Sequence, residues 1–445
     1  MMGGKQILYF VGAGLSKSVE KPGKRIPLMY DFVSAMAEYA PNDRVILQTL
    51  ARLEFSGAFD WPCPEAADLS NALLWHRHDP TPDTLVRFSH AMKRRPSESI
   101  EDLMARALEN TERSVGSDSE ALPISFSSNA PDQFCHSISR LFGHWIGWDV
   151  DWSVLEAFLR HQFASNPLNL CQHTFISFNY DLLLDRAIQT VTRDGQPPGH
   201  AHWHPSTGYS FDIGWQLGES EERPTPTVSG GVVTAGTAEH TDAYPLPQVQ
   251  SGNVLVLKPH GSLNWVICHN KNHKSDEGGL LVDPDTPVFL PLATAASPDL
   301  DYWRAERQEC ANIFYKPPSN ARFAEVHGSI CLVPPTPRAK TARVTFPAKR
   351  PAFITKVHDA EKAAIKKADE ILVIGWSMPV TDQDEIRTIR CCIAEREKEL
   401  QSVTVINRGE RPDYFERIAD TFGATRSALR IFNNGFSDYV QHHGA

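Results

Sequence analysis

Five short apolar runs, each breaking off at a small or polar turn, constrain this chain more than any other feature. They are Ile7–Val11, Thr174–Phe178, Val254–Leu257, Ile371–Ile374 and Val403–Ile406. All are rich in β-branched or aromatic residues with no polar alternation, the pattern of strands buried on both faces of a parallel sheet. Helical patterns lie between them. Leu184, Ala187, Ile188 and Val191 recur at helical spacing after the second run. A charged amphipathic helix is expected over Val357–Ala368, and another from about Gln383 to Leu400. Strand and helix alternating in this way predict an α/β fold with a doubly wound, Rossmann-like parallel sheet.

The strands are spread unevenly over 445 residues. Residues 30–170 read as a mainly helical insertion, as in Ile100–Leu108. Residues 196–252, rich in Pro, Gly, Thr and Ser, read as a long loop or lid. A further insertion covers 263–356, with Pro-Pro pairs starting at 317 and 334, and 357–445 completes the sheet. No internal repeat is evident, so a single domain spanning 1–445 with large insertions is expected.

The hydrophobic fraction of 41% and charged fraction of 22% are those of a globular protein, which excludes disordered and fibrous classes. A net charge of −10 argues against a basic nucleic-acid surface. No apolar run approaches the roughly 20 residues of a membrane span, and Ile7–Val11 is too short for a secretory leader. The 8 cysteines (63, 135, 171, 268, 310, 331, 391 and 392) form no Cys-x-x-Cys pair. A reduced, cytoplasmic protein without a disulfide framework is the expectation.

In an open parallel sheet the carboxyl ends of the strands line the ligand crevice, so the turns carry the chemistry. The first is Gly12-Ala13-Gly14-Leu15-Ser16, where small residues let backbone N–H groups approach a diphosphate at a helix start. Lys17 occupies the third glycine position of the dehydrogenase fingerprint, and no Walker lysine follows. A tight strand-to-helix turn without ligand fits equally well. The second turn is Phe178-Asn179-Tyr180-Asp181. An Asn amide can hold a sugar hydroxyl or position a water, while Asn and Asp are also common at helix starts. The third, Lys258-Pro259-His260-Gly261-Ser262, offers a histidine as general base. His327-Gly328-Ser329 repeats that tripeptide without a long preceding strand, so His260 is the expected base. The fourth turn carries Gly375 for close backbone approach and Ser377 as a hydroxyl donor. Asp382 with Glu385 reads as a capping pair. The fifth turn begins at Asn407, where a polar residue can meet a ribose or merely form a turn.

In this order the five turns resemble the sirtuin superfamily, specifically its bacterial NAD-hydrolysing, anti-phage defence branch. The resemblance rests on Gly12–Ser16, Phe178–Asp181, Lys258-Pro-His-Gly-Ser-Leu-Asn-Trp265, Gly375-Trp-Ser-Met-Pro379 with Asp382, and Ile406-Asn407. Val333-Pro-Pro-Thr336 with Lys340 is similar to a further element of that branch. The resemblance implies that Gly12, Ala13, Gly14 and Ser16 cradle the diphosphate of NAD. It implies that Asn179, flanked by Phe178 and Asp181, holds the nicotinamide ribose and a water, and that His260 is base or ribose-orienting group. Gly375, Ser377 and Asn407 would then bind the adenosine side, and Phe178, Asp181 and Asp382 also count among the implied cofactor-binding residues. The implied activity is cleavage of NAD to nicotinamide and ADP-ribose.

The four-cysteine zinc module of protein-deacylating sirtuins has no counterpart. Cys268, Cys310 and Cys331 lack paired spacing, and Cys268-His269 with His273 makes a poor zinc site. No metal is therefore expected, and water becomes the acceptor. Two other readings stand beside this one: an NAD-dependent protein deacylase, and a non-catalytic module that binds NAD or ADP-ribose. The resemblance further implies a phage-triggered effector that depletes cellular NAD. Such an effector would be regulated by homo-oligomerisation or by a separate sensor or ATPase partner.

Overall fold

The computed structural model describes residues 4–19, 31–39, 44–61, 63–75, 81–115, 151–193, 203–211, 215–219, 228–229, 232–233, 241–245, 252–268, 287–289, 328–332, 352–379, 382–409 and 411–443. Its strands, in chain order, are β1 (Lys5–Val11), β2 (Cys171–Ser177), β3 (Trp215–Glu219), β4 (Val228–Ser229), β5 (Val232–Val233), β6 (Thr241–Pro245), β7 (Val254–Leu257), β8 (Gly261–Cys268), β9 (Pro287–Phe289), β10 (Gly328–Leu332), β11 (Glu370–Ile374), β12 (Ser402–Ile406) and β13 (Leu429–Phe432). Six of them build one parallel sheet in the order β13-β12-β11-β1-β2-β7. This is the Rossmann-like α/β arrangement. The chain leaves β1 toward β2 and β7, then returns to lay β11, β12 and β13 on the other side. The order therefore reverses between β1 and β11, where an open α/β sheet leaves its ligand crevice.

The five strands read from sequence are all present, several of them longer at the amino end. β13 is a strand that apolar pattern alone does not reveal. Only Leu429 of its four residues is fully buried, because it closes the edge of the sheet and needs apolar cover on one side only. Val11 lies opposite Ile374 on one side and Ser177 on the other. Pairing then runs one residue beyond the strands, through Gly12 N to Ile374 O, Phe178 N to Val11 O and Gly375 N to Ile406 O. Four turns thus leave the sheet at nearly one level.

Among the described residues the helices are α1 (Ala13–Ser16), α2 (Phe32–Tyr39), α3 (Arg44–Phe55), α4 (Pro64–Trp75), α5 (Pro82–Lys93), α6 (Ile100–Val115), α7 (Ser153–Ser165), α8 (Leu183–Arg193), then, after a single turn at Pro205–Gly208, α9 (Ala352–Lys367), α10 (Gln383–Ala394), α11 (Pro412–Thr421) and α12 (Phe436–His443). Helices α2–α6 pack on one another between β1 and β2. On one sheet face Tyr9 stacks on Phe175 and meets Phe158 of α7 edge-on. On the other, Phe10 meets Trp376 and Phe422. α8 buries Leu184, Ala187, Ile188 and Val191, the positions that the helical spacing selects.

α10 stops at Ala394, short of the expected Leu400. Arg396 explains this, since its guanidinium donates to Ile365 O and Ala368 O, carbonyls at the end of α9, instead of continuing a helix. The stretch 196–252 is not only loop. It supplies β3 and β6, which join β8, β9 and β10 in a second sheet of order β10-β8-β9-β3-β6. Turn-rich composition hid these strands because each is only five residues long. β8 begins directly after His260, and its Trp265 packs on Tyr209, Phe211 and Phe353. Among the described residues no helix is long and apolar enough to cross a membrane, and Cys63, Cys171, Cys391 and Cys392 are free thiols.

Candidate active site at the strand ends

The glycines of the first and fourth turns press against each other where the sheet order reverses. A Cβ on Gly12 would sit 2.4 Å from Trp376 Cα, and one on Gly14 would sit 2.6 Å from Gly375 Cα. Gly375 has φ +58, and a Cβ there would lie 2.5 Å from Gly14 Cα. Close backbone packing at the switch point therefore requires all three glycines, independently of any ligand. The donors differ from the expected cradle as well. Gly12 N–H donates to Ile374 O, Gly14 N–H to Gly375 O at 3.0 Å and Leu15 N–H to Gly12 O. Among the described residues no bond engages the N–H of exposed Ala13. α1 is a single turn, so a helix dipole adds little there.

Beside this contact lies a polar network. Asn179 Nδ2 donates to Gly12 O at 3.0 Å and to Ser16 Oγ at 2.9 Å. Ser16 Oγ donates in turn to Asp181 Oδ2 at 2.8 Å, and Asp181 Oδ1 accepts from Leu183 N–H at 3.0 Å. One oxygen of Asp181 thus caps α8, and the other holds Ser16. Both amide hydrogens of Asn179 are committed, which settles its orientation and leaves Oδ1 as the acceptor it can offer. Burial pushes the Asp181 carboxyl up, while the Lys258 charge and the bonds from Ser16 and Leu183 pull against that.

Lys258 is the residue that strand-end reasoning passes over. It is fully buried, donating to Asp181 O at 2.5 Å and to Asp185 Oδ2 at 3.3 Å. Tyr209 hydroxyl donates to Asp185 Oδ1 at 2.5 Å. A lysine ending an apolar strand, with an aspartate four residues beyond Asp181, is the signal that could have located the pair.

Aromatic rings cross the sheet beneath the turns. Trp376, after β11, lies 5.8 Å from Phe10 of β1 and 4.6 Å from Phe178 after β2. Phe178 lies 5.3 Å from the His260 ring after β7. His260 is buried at 4% exposure, and Gly261 behind it turns the chain at φ +82. Trp376 is held from two sides: Nε1 donates to Asp382 Oδ2 at 3.0 Å, and its carbonyl accepts from Tyr414 hydroxyl at 2.7 Å. Asp382 stands at the N-cap of α10 but makes no side-chain cap bond, which corrects the capping pair.

The remaining expected residues lie at the rim. Ser377 is exposed, beside Met378 in a left-handed conformation at φ +51. Asn407 is half-buried after β12, and its Oδ1 accepts from Arg408 N–H. His327 lies outside the described residues, as do Val333–Thr336, Lys340, His269 and His273. Gly328 faces Cys268 while Leu332 faces Gly261. Neither protein-family models nor curated proteins give a match to the chain.

Proposed function

We propose that this protein is a sirtuin-like NAD glycohydrolase that cleaves NAD to nicotinamide and ADP-ribose. The observation that carries the reading is the bonding of Asn179. Its amide hydrogens are spent on Gly12 O and Ser16 Oγ, so Oδ1 is a preorientated acceptor beside the switch-point crevice. An acceptor of this kind suits a ribose hydroxyl or an attacking water.

The strand order supports a dinucleotide. A dinucleotide straddles such a crevice, with Asn407 on the β12 side and Asn179 and His260 on the β2–β7 side. The Ala13 N–H is a donor for the diphosphate between them. Loss of nicotinamide develops positive charge on the ribose, and oriented oxygen dipoles stabilise that charge. In this reading His260 takes the proton of the ribose hydroxyl or of the water. Water adds to the sugar carbon as the glycosidic bond breaks, giving ADP-ribose, nicotinamide and one proton. The buried row Trp376–Phe178–His260 keeps bulk water from the floor of the site. Resemblance to the defence branch supports a phage-triggered, oligomeric cytoplasmic effector governed by a separate sensor or ATPase.

The test is to incubate the purified chain with NAD and separate the products. Nicotinamide and ADP-ribose in equal amounts are expected, without any acyl-lysine peptide. Turnover only with such a peptide, yielding O-acyl-ADP-ribose, would replace this reading by a deacylase. Tight NAD binding with no turnover, alone or with the partner, would replace it by a binding module.

A further inference from the structure

The buried seam between α9 and α10 holds ionisable groups that the proposed reaction does not use. α9 buries Phe353, Ile354, Val357 and Ile365, and on the same helix His358 and Glu361 are buried at 1% and 0% exposure. The two are three residues apart and therefore stand on one face, with His358 Nδ1 3.2 Å from Glu361 Oε2. Glu385, in the first turn of the adjacent α10, is buried with them at 4%. One ligand atom from each of the three lies within 4.8 Å of the others.

Glu385 is not diverted there from a capping role. The backbone N–H of Asp382, which a capping-box glutamate would bind, donates to Pro379 O at 3.0 Å. We propose that His358, Glu361 and Glu385 form a site for a divalent transition cation that clamps α9 to α10. One imidazole and two carboxylates suit Zn²⁺, Mn²⁺ or Fe²⁺ rather than the all-oxygen shells of Ca²⁺ or Mg²⁺. A dication with neutral imidazole brings the trio to zero net charge, which favours burying two carboxylates on an apolar seam. Any further coordination position falls to water. The site uses no thiol and is independent of whether the protein turns over NAD. It stands one helical turn from Asp382, which holds Trp376, so its occupancy stiffens the wall of the crevice.

The full chain, stripped with chelator, is titrated with Co²⁺ and then with Zn²⁺. One equivalent of Co²⁺ should bind with weak visible bands and no thiolate charge-transfer band in the near ultraviolet. Zn²⁺ should displace it and raise the melting temperature. Glu385→Gln and His358→Gln should each weaken Co²⁺ binding at least tenfold, the scale set by disturbing even outer-shell partners. No retained Co²⁺, a thiolate band, or unchanged binding in both variants would overturn the assignment. The wild-type spectrum decides between thiolate and nitrogen–oxygen ligands even if one variant fails to fold.

Discussion

At the scale of single residues, the glycines and the asparagine make opposite predictions. Gly375→Ala meets a left-handed φ and backbone 2.5 Å away at once. It should cost more than about 2 kcal/mol and lower the melting temperature before any question of catalysis arises. A G375A protein as stable as wild type would contradict the packing described. Asn179→Ala removes an amide from a half-buried site without overlap, so the fold should survive. Asn179→Asp is the sharper variant, because a carboxylate cannot donate to Gly12 O and Ser16 Oγ. It should lose activity to nearly the same extent as the alanine variant. Asp382→Ala leaves the buried Trp376 indole N–H without its carboxylate, at about 1–3 kcal/mol. A simple cap would cost only about 1 kcal/mol, and denaturant titration separates the two. The glycines, Asn179 and His260 were legible in the sequence because each follows a buried strand. What Gly12 and Gly14 spend their N–H groups on was not, since their partners lie more than 350 residues away at Ile374 and Gly375.

At the scale of elements, the β7 end is tied to the first turn of α8 by the Lys258–Asp185 pair, with both side chains at 0% exposure. Removing one partner strands a buried charge, so Lys258→Met should cost about 3–5 kcal/mol. The double variant Lys258→Met/Asp185→Leu should recover part of that loss. Additive losses in a double-mutant cycle, read by urea unfolding, would show that the two do not act as a pair. Helix α8 could be placed from its apolar spacing because it packs locally on the sheet. The second sheet could not, because β3, β6 and β9 are held by pairing with β8 and one another and carry little pattern of their own. Arg396 shows the same limit: a polar run that continues a helix on paper instead closes the carboxyl end of a neighbouring helix.

On the scale of the whole molecule, buried His173 sets a pH dependence. Its Nδ1 lies 2.9 Å from Tyr9 hydroxyl and its Nε2 2.8 Å from Asn166 O, and burial lowers its pKa from 6.5 to about 4. The unfolded chain takes up the proton below pH 6.5 and the folded one only near 4. Stability is therefore full above pH 6.5 and falls as the pH drops toward 4, by about 3 kcal/mol in total. His173→Gln should flatten this loss in urea titrations at pH 7.5 and 4.5. An unchanged slope would assign the acid sensitivity elsewhere. The parallel α/β sheet itself followed from five apolar runs and their turns, because fully buried strands leave the plainest trace in a sequence. The edge strand β13, half-solvated, left almost none.

The central claim joins these scales: a switch-point crevice that takes NAD, with Asn179 essential for its cleavage. It is tested most directly by measuring NAD binding and turnover side by side in wild type and Asn179→Ala. The account predicts that both proteins bind NAD, while the variant turns over roughly 10²–10⁴-fold more slowly. A wild-type chain that does not bind NAD, or an alanine variant that cleaves it at the wild-type rate, would contradict it.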